Sequence, residues 1–170
     1  MGNTSEPNSS SDDFSSSGFP TEGALLGIDF GTKRLGFAVC DRAQTIASPV
    51  ENYQRQSEQV DRRALLRLIE DYRIVGLVVG YPVHMSGDES ASAIAAREFG
   101  NWAAEQSQLP MMFWDERFSS LSADYSLQLS TLSDKKKKAK RDMLAARAIL
   151  QKFLDAEDRN AKPADLRKDN

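Results

Sequence analysis

The sequence predicts an α/β fold in which a mixed five-stranded sheet, three antiparallel strands and then two parallel ones, is flanked by helices. Three observations carry this. Residues 25–41 form an apolar run, break at Gly31–Thr32 and resume as a second apolar run from Leu35, the pattern of a β-hairpin. Residues 74–79 are an apolar run rich in β-branched residues, as in a strand buried on both faces beneath covering helices. A length of 170 residues, 40% of them apolar, fits one domain with a core.

The first strand holds an anomaly. Strand alternation puts Leu26, Ile28 and Phe30 on one face and Leu25, Gly27 and Asp29 on the other, so a carboxylate stands among apolar neighbours. Buried without a partner it would be costly. The plain alternative is a turn aspartate bonded to nearby amides.

Residues 44–50 are expected to form the third strand, ended at Ser48–Pro49. The period then changes. Val60, Ala64, Leu65, Leu68, Ile69 and Tyr72 recur at helical spacing, and with Ser57 as N-cap they predict a helix over 57–73. The strand at 74–79 ends at Gly80–Tyr81–Pro82, and the loop at 83–88 carries the single histidine, His84. With no second His or Cys nearby, His84 reads as a loop residue and not a metal ligand.

Asp88 is expected to cap a helix running to about residue 106, with Ala91, Ala95, Phe99 and Trp102 facing the core. Residues 109–114 are the fifth strand and lead into Asp115–Glu116–Arg117. Ser119 or Ser120 then caps a helix bearing Leu121, Tyr125 and Leu129. Residues 135–141 place six cations in seven positions and read as a loop. The last helix is expected over 141–155, where Asp142, Ala145, Ala146, Ile149 and Phe153 share one stripe, so Asp142 lies on the apolar side.

The ends differ from this core. Residues 1–22 hold seven serines, four acids and no Lys or Arg, and are expected to be a disordered tail, neither secretion signal nor myristoylation site, since Glu6 stands where that signal needs Ser or Thr. The domain is expected over 23–155, and the polar residues 156–170 read as a second disordered tail. No apolar stretch is long enough to span a membrane, so a cytoplasmic location is expected. The lone Cys40 reads as a small buried residue. The net charge of −3 belongs to the ends, because residues 23–154 hold 18 basic against 16 acidic residues.

Three motifs together resemble the YqgF/RuvX family, whose members are described as Holliday junction resolvases or pre-16S rRNA nucleases within the RNase H-like superfamily. They are Ile28-Asp-Phe-Gly-Thr-Lys-Arg-Leu-Gly36, Asp115-Glu-Arg with two hydroxyl residues after Phe118, and Asp142-x-x-Ala-Ala-x-x-Ile-Leu150. The resemblance spans about residues 25–154. It departs from the family pattern at Tyr81 and His84–Met85, where Leu and Asn-Met are usual, and at Phe118–Ser119–Ser120, which replaces Leu-Thr-Thr. It also implies an acidic triad matching Asp29, Glu116 and Asp142, with the second acid after the fifth strand and not the fourth.

These three acids are the candidate catalytic and metal-binding residues. Each interrupts an apolar pattern; if they converge, their mutual repulsion calls for divalent cations, and hard oxygen ligands suit Mg²⁺ or Mn²⁺. A two-metal site of this kind clamps the attacking and leaving oxygens of a phosphodiester. The expected activity is metal-dependent endonucleolytic hydrolysis of structured RNA or branched DNA. Lys33, Arg34 and Arg117 border the expected cleft as candidate phosphate contacts; the alternative is a turn role for the first two and, for Arg117, a role holding Asp115 or Glu116, which explains Arg117 equally. Lys135, Lys136, Lys137 and Lys138 are candidates for the same partner, set against a merely solvated run. Symmetric cutting of a junction favours a homodimer.

Two rivals share the first motif. An actin-like ATPase needs two copies of such a sheet and a second glycine-rich phosphate loop, whereas this chain has one copy and no Gly-Gly pair. A non-catalytic nucleic-acid-binding module keeps the fold without turnover, but gains nothing from three anions facing a polyanion.

Overall fold

The computed structural model describes residues 18–83, 90–116 and 133–160. In chain order these form β1 (Ala24–Phe30), β2 (Arg34–Cys40), β3 (Ala47–Gln54), α1 (Glu58–Tyr72), β4 (Ile74–Tyr81), α2 (Ala91–Ser107), β5 (Met111–Asp115) and α3 (Asp134–Asp155). The sheet has the order β3-β2-β1-β4-β5. β1, β2 and β3 pair antiparallel, while β4 and β5 run parallel to β1, as the sequence predicts.

Alternation divides the sheet into two cores. Leu26, Ile28, Phe37, Leu77 and Val79 meet Leu65 and Leu68 of α1 and Phe99 and Ala103 of α2. Leu25, Ala38 and Val78, from the other set of positions, meet Ala146, Ile149, Leu150 and Phe153 of α3. Asp29 has the parity of Leu25, so it faces α3. That helix approaches closely at Gly36: a Cβ there would collide with the Asp142 backbone carbonyl oxygen.

Several boundaries move. β3 starts and ends later than predicted and runs through Pro49 instead of stopping there, because β3 is an edge strand and a register shift between Phe37 and Ala38 absorbs the irregularity. α2 begins later than predicted, at Ala91 behind Ser90, whose hydroxyl accepts from the Ala93 amide. Its buried side is Ala93, Ala96, Phe99, Gly100 and Ala103, one stripe round from the predicted one. Alanines on every side left several stripes open, and Gly100, against which the Phe113 ring rests, decides among them. The fifth strand extends one residue further, through Asp115. The predictions at His84, Asp88, Arg117, Ser119 and Ser120 fall outside the described residues.

The largest correction concerns the cationic run, which is helix and not loop: α3 starts at Asp134, so Lys135 to Arg141 fill its first two turns. Lysine is a good helix former, and Asp134 supplies an acid in the first turn. The apolar period that located the rest of the helix begins only at Asp142. Burial of Leu144, Ile149, Leu150, Phe153 and Leu154, at roughly 1.5–3 kcal/mol each, anchors the helix and its cationic extension together.

The N-terminal segment attaches further upstream than expected. The Phe19 ring meets Phe153 edge-on at 5.5 Å, and Gln44 donates to the Pro20 carbonyl at 3.1 Å. Arg159, beyond the expected domain end, stacks over Phe153 at 5.6 Å and donates to Gln44 at 2.8 Å. Truncation at residue 22 is therefore expected to lower stability by about 1–3 kcal/mol relative to truncation at residue 17, since only the longer cut removes the buried part of the Phe19 ring. Chemical denaturation of the two truncated proteins checks this, and equal midpoints would discount the packing of Phe19 on Phe153. Cys40 is buried, as expected, and its Sγ accepts from the Leu25 amide at 3.2 Å. Among the described residues no helix is long and apolar enough to cross a membrane.

Candidate active site

The first predicted acid sits one residue before the end of β1, opposite Gly36 on β2. On the other side of β1, one step beyond the Ile28–Val79 pair, is Gly80 of β4. Both neighbours of Asp29 in the sheet are thus glycines, and each leaves room for another acid. Gly36 admits the α3 backbone at Asp142, and a Cβ on Gly80 would stand 2.5 Å from Glu116 Oε1 and 2.6 Å from Ile149 Cδ1. Glu116 directly follows β5, which pairs with β4 through Gly80–Trp114 and Tyr81–Asp115. Elements far apart in sequence deliver three carboxylates to one end of the sheet.

Their proximity is felt electrostatically. Burial, followed by the charges of Glu116 and Asp142, pushes the Asp29 carboxyl from 3.8 up to about 7. Glu116 is also raised, by burial and by the Asp115 charge. Asp142 differs, because its Oδ2 accepts from Arg34 Nε at 3.0 Å and from Asn52 Nδ2 at 2.8 Å. Among the described residues no three acidic, histidine or cysteine side chains close around a shared metal position. The donor set still fits a hard divalent cation: all the candidate ligands are carboxylate oxygens, and two of them carry repulsion that a cation would relieve.

A cleft of about 230 Å³ opens here, lined by Asp29, Thr32, Lys33, Arg34, Lys138 and Asp142 among others. Lys33 projects from the turn between β1 and β2, and Lys138 reaches in from one helical turn before Asp142. Arg34 lies in the cleft but is engaged with Asp142. Lys136 is exposed, Lys137 pairs with Asp134 at 3.7 Å, the Lys135 side chain is outside the described ones, and Arg117 is undescribed.

Three contributors escaped the sequence reading. Asn52 lies beyond the predicted end of its strand, and nothing local marks it. Gly36 and Gly80 were visible, but only the sheet register shows that they flank Asp29.

A family model described as "RuvX: Holliday junction resolvase" matches residues 23–156. The chain belongs to the RuvX family. Among curated relatives, a protein of Rhodopirellula baltica named "Putative pre-16S rRNA nuclease" is 36% identical over 82% of this chain and 80% of its own length. A relative of the same name from Koribacter versatilis is 41% identical over 78% of this chain and 87% of its own. Among solved structures, T. thermophilus RuvC in complex with Holliday junction substrate matches with a TM-score of 0.54 at 20% identity, covering 83% of this chain and 99% of that one. This RuvX-family sheet thus has the RNase H-like fold.

Proposed function

We propose that the protein is a metal-dependent endonuclease that hydrolyses phosphodiesters of structured nucleic acid, with Asp29, Glu116 and Asp142 as its catalytic residues. The observation that carries this is the Asp29 carboxyl, raised to about 7 by burial and then by the charges of two further acids at the end of the sheet. No structural role asks for that arrangement, since repulsion between acids costs stability. Asp29, Glu116 and Asp142 would hold Mg²⁺ or Mn²⁺, which supplies an activated water and charge stabilisation at the phosphorus. Lys33 and Lys138 hold the substrate backbone against the cleft, and Asn52 orients the Asp142 carboxylate.

The names of the curated relatives favour precursor ribosomal RNA as substrate. Branched DNA is the other candidate, and there a two-fold dimer would place two sites for paired cuts. The test is cleavage of a precursor 16S RNA fragment and of a four-way DNA junction by purified protein, with Mg²⁺ and with chelator. Chelator-sensitive cutting of either supports the reading, and sizing with each substrate reports the dimer. One observation favours a second reading, a binding module without turnover: Arg34 already neutralises Asp142. Tight binding with no metal-dependent cutting would select it.

The cationic turns of α3 give a separate expectation. Replacing Lys135, Lys136, Lys137 and Lys138 with glutamine, which preserves helix propensity, should weaken binding of all sequences. For every phosphate that a lysine no longer neutralises, the log–log salt dependence should flatten by about 0.7–0.9. An unchanged slope would show that these lysines do not touch nucleic acid.

A further inference from the structure

The residue after Asp29 faces the opposite side of the sheet, and there Phe30 opens a second cleft, of about 330 Å³, against α1 and α2. Its floor is a run of rings. Phe30 and Phe99 lie 5.1 Å apart between centroids, and Phe99 and Trp102 5.4 Å apart. The Arg55 guanidinium covers the first two, 5.5 Å from each centroid. It is held there by Asp61, a buried α1 carboxylate that accepts from Arg55 Nε at 3.1 Å, Tyr53 Oη at 2.9 Å and the Gln56 amide at 2.8 Å. Those three bonds outweigh burial, which acts the other way, and keep the Asp61 carboxyl below its ordinary range. Arg55 is therefore a guanidinium plane fixed in place before any ligand arrives.

We propose that this cleft is a stacking subsite for one unpaired nucleobase of the strand whose phosphate lies at Asp29, an assignment that rests on the carboxylate cleft taking nucleic acid. The partly exposed indole of Trp102 and the pre-set plane of Arg55 are surfaces on which a base stacks irrespective of sequence. Thr32 lines both clefts, so a strand crossing the turn between β1 and β2 passes from one to the other. Charge decides which part of the nucleotide enters each. The carboxylate cleft has Lys33 and Lys138 at hand, whereas Glu58 and Glu98 line this one. Phosphate is repelled here, while base amino groups find acceptors. A base paired within a duplex is stacked between its neighbours and cannot reach the cleft, so the occupant is single-stranded or extruded.

The protein has two tryptophans, and Trp114, on the other core, packs edge-on to Phe153 at 5.4 Å with no partner for its Nε1 among the described residues. Trp114→Phe keeps that ring contact and leaves Trp102 as sole reporter. In chelator, this variant is titrated with an end-labelled single-stranded RNA and with an abasic phosphodiester chain of equal length. Label anisotropy reads binding, and indole emission reads stacking. The expected result is that the RNA quenches Trp102 and the abasic chain, though bound, does not. In the otherwise unaltered protein, Trp102→Leu should weaken RNA binding about 5- to 150-fold and leave abasic binding unchanged. Binding of RNA without quenching, or equal quenching by both chains, overturns the subsite and leaves the nuclease reading standing. Binding of neither chain also overturns the subsite, while the nuclease reading stands or falls on cleavage of the structured substrates.

Discussion

If the proposed two-metal chemistry holds, Asp29→Asn is expected to lower metal-dependent cleavage by about 10³-fold or more, since it removes both a proposed metal ligand and the charge at the centre of the site. Glu116→Gln and Asp142→Asn should be similarly inactive. Stability separates catalytic loss from misfolding. The Asp29 carboxyl is raised from 3.8 to about 7 in the folded protein. Its contribution is thus fully present below pH 3.8 and lost as pH rises to about 7, the reverse of an ion-paired aspartate. Without metal, the variant should therefore lack this loss and exceed the wild type at pH 8 by roughly 2–4 kcal/mol, the difference vanishing towards pH 4. Urea denaturation in chelator across that range checks it. Cleavage close to wild type would remove Asp29 from the site, and parallel pH profiles would remove its coupling to the other acids.

Gly36→Ala should be among the most damaging single methyl additions. The new Cβ would meet the Asp142 carbonyl oxygen, a backbone atom that no rotamer change can move aside, so α3 must shift bodily. Overpacking against side chains costs typically 1–3 kcal/mol, and a rigid helix should put this substitution at or above that upper figure. A shift of α3 also carries Asp142 and Lys138 away from Asp29, so cleavage should fall even where the protein remains folded. Gly18→Ala, with nothing within 4 Å of its Cβ, is the control. Melting temperatures matching across wild type and both variants would mean that α3 does not rest on β2 as described.

The hairpin and the three acids were legible because a carboxylate in an apolar strand or stripe is conspicuous wherever it occurs. The same signal is not specific. Asp61 also falls on the apolar stripe of its helix, yet its partners are Arg55, Tyr53 and the Gln56 amide, and it serves to hold Arg55. Only the fold separates such an acid from those gathered at the end of the sheet. The course of β3 was illegible because Pro49 ordinarily ends a strand, and the edge position that tolerates it is a property of the sheet; Asn52 went unseen with it. The first turns of α3 were illegible because they carry no apolar residue to set a period. Their helicity comes from lysine's propensity and from the anchored turns downstream.

For the metal site proposed above, the Arg34–Asp142 pair would make metal loading an exchange and not a simple addition. A divalent cation that takes Asp142 Oδ2 must first displace a guanidinium, so affinity measured on the free protein is the difference between two ionic contacts. A phosphate oxygen, for which guanidinium offers a matching fork, competes for the same arginine. Substrate that draws Arg34 away leaves Asp142 open, and by thermodynamic reciprocity cation and substrate then each strengthen the other's binding by an equal factor. On the proposed reading the consequence would be restraint of reactivity: in the absence of nucleic acid, an internal counterion occupies the Asp142 oxygen that a cation would need.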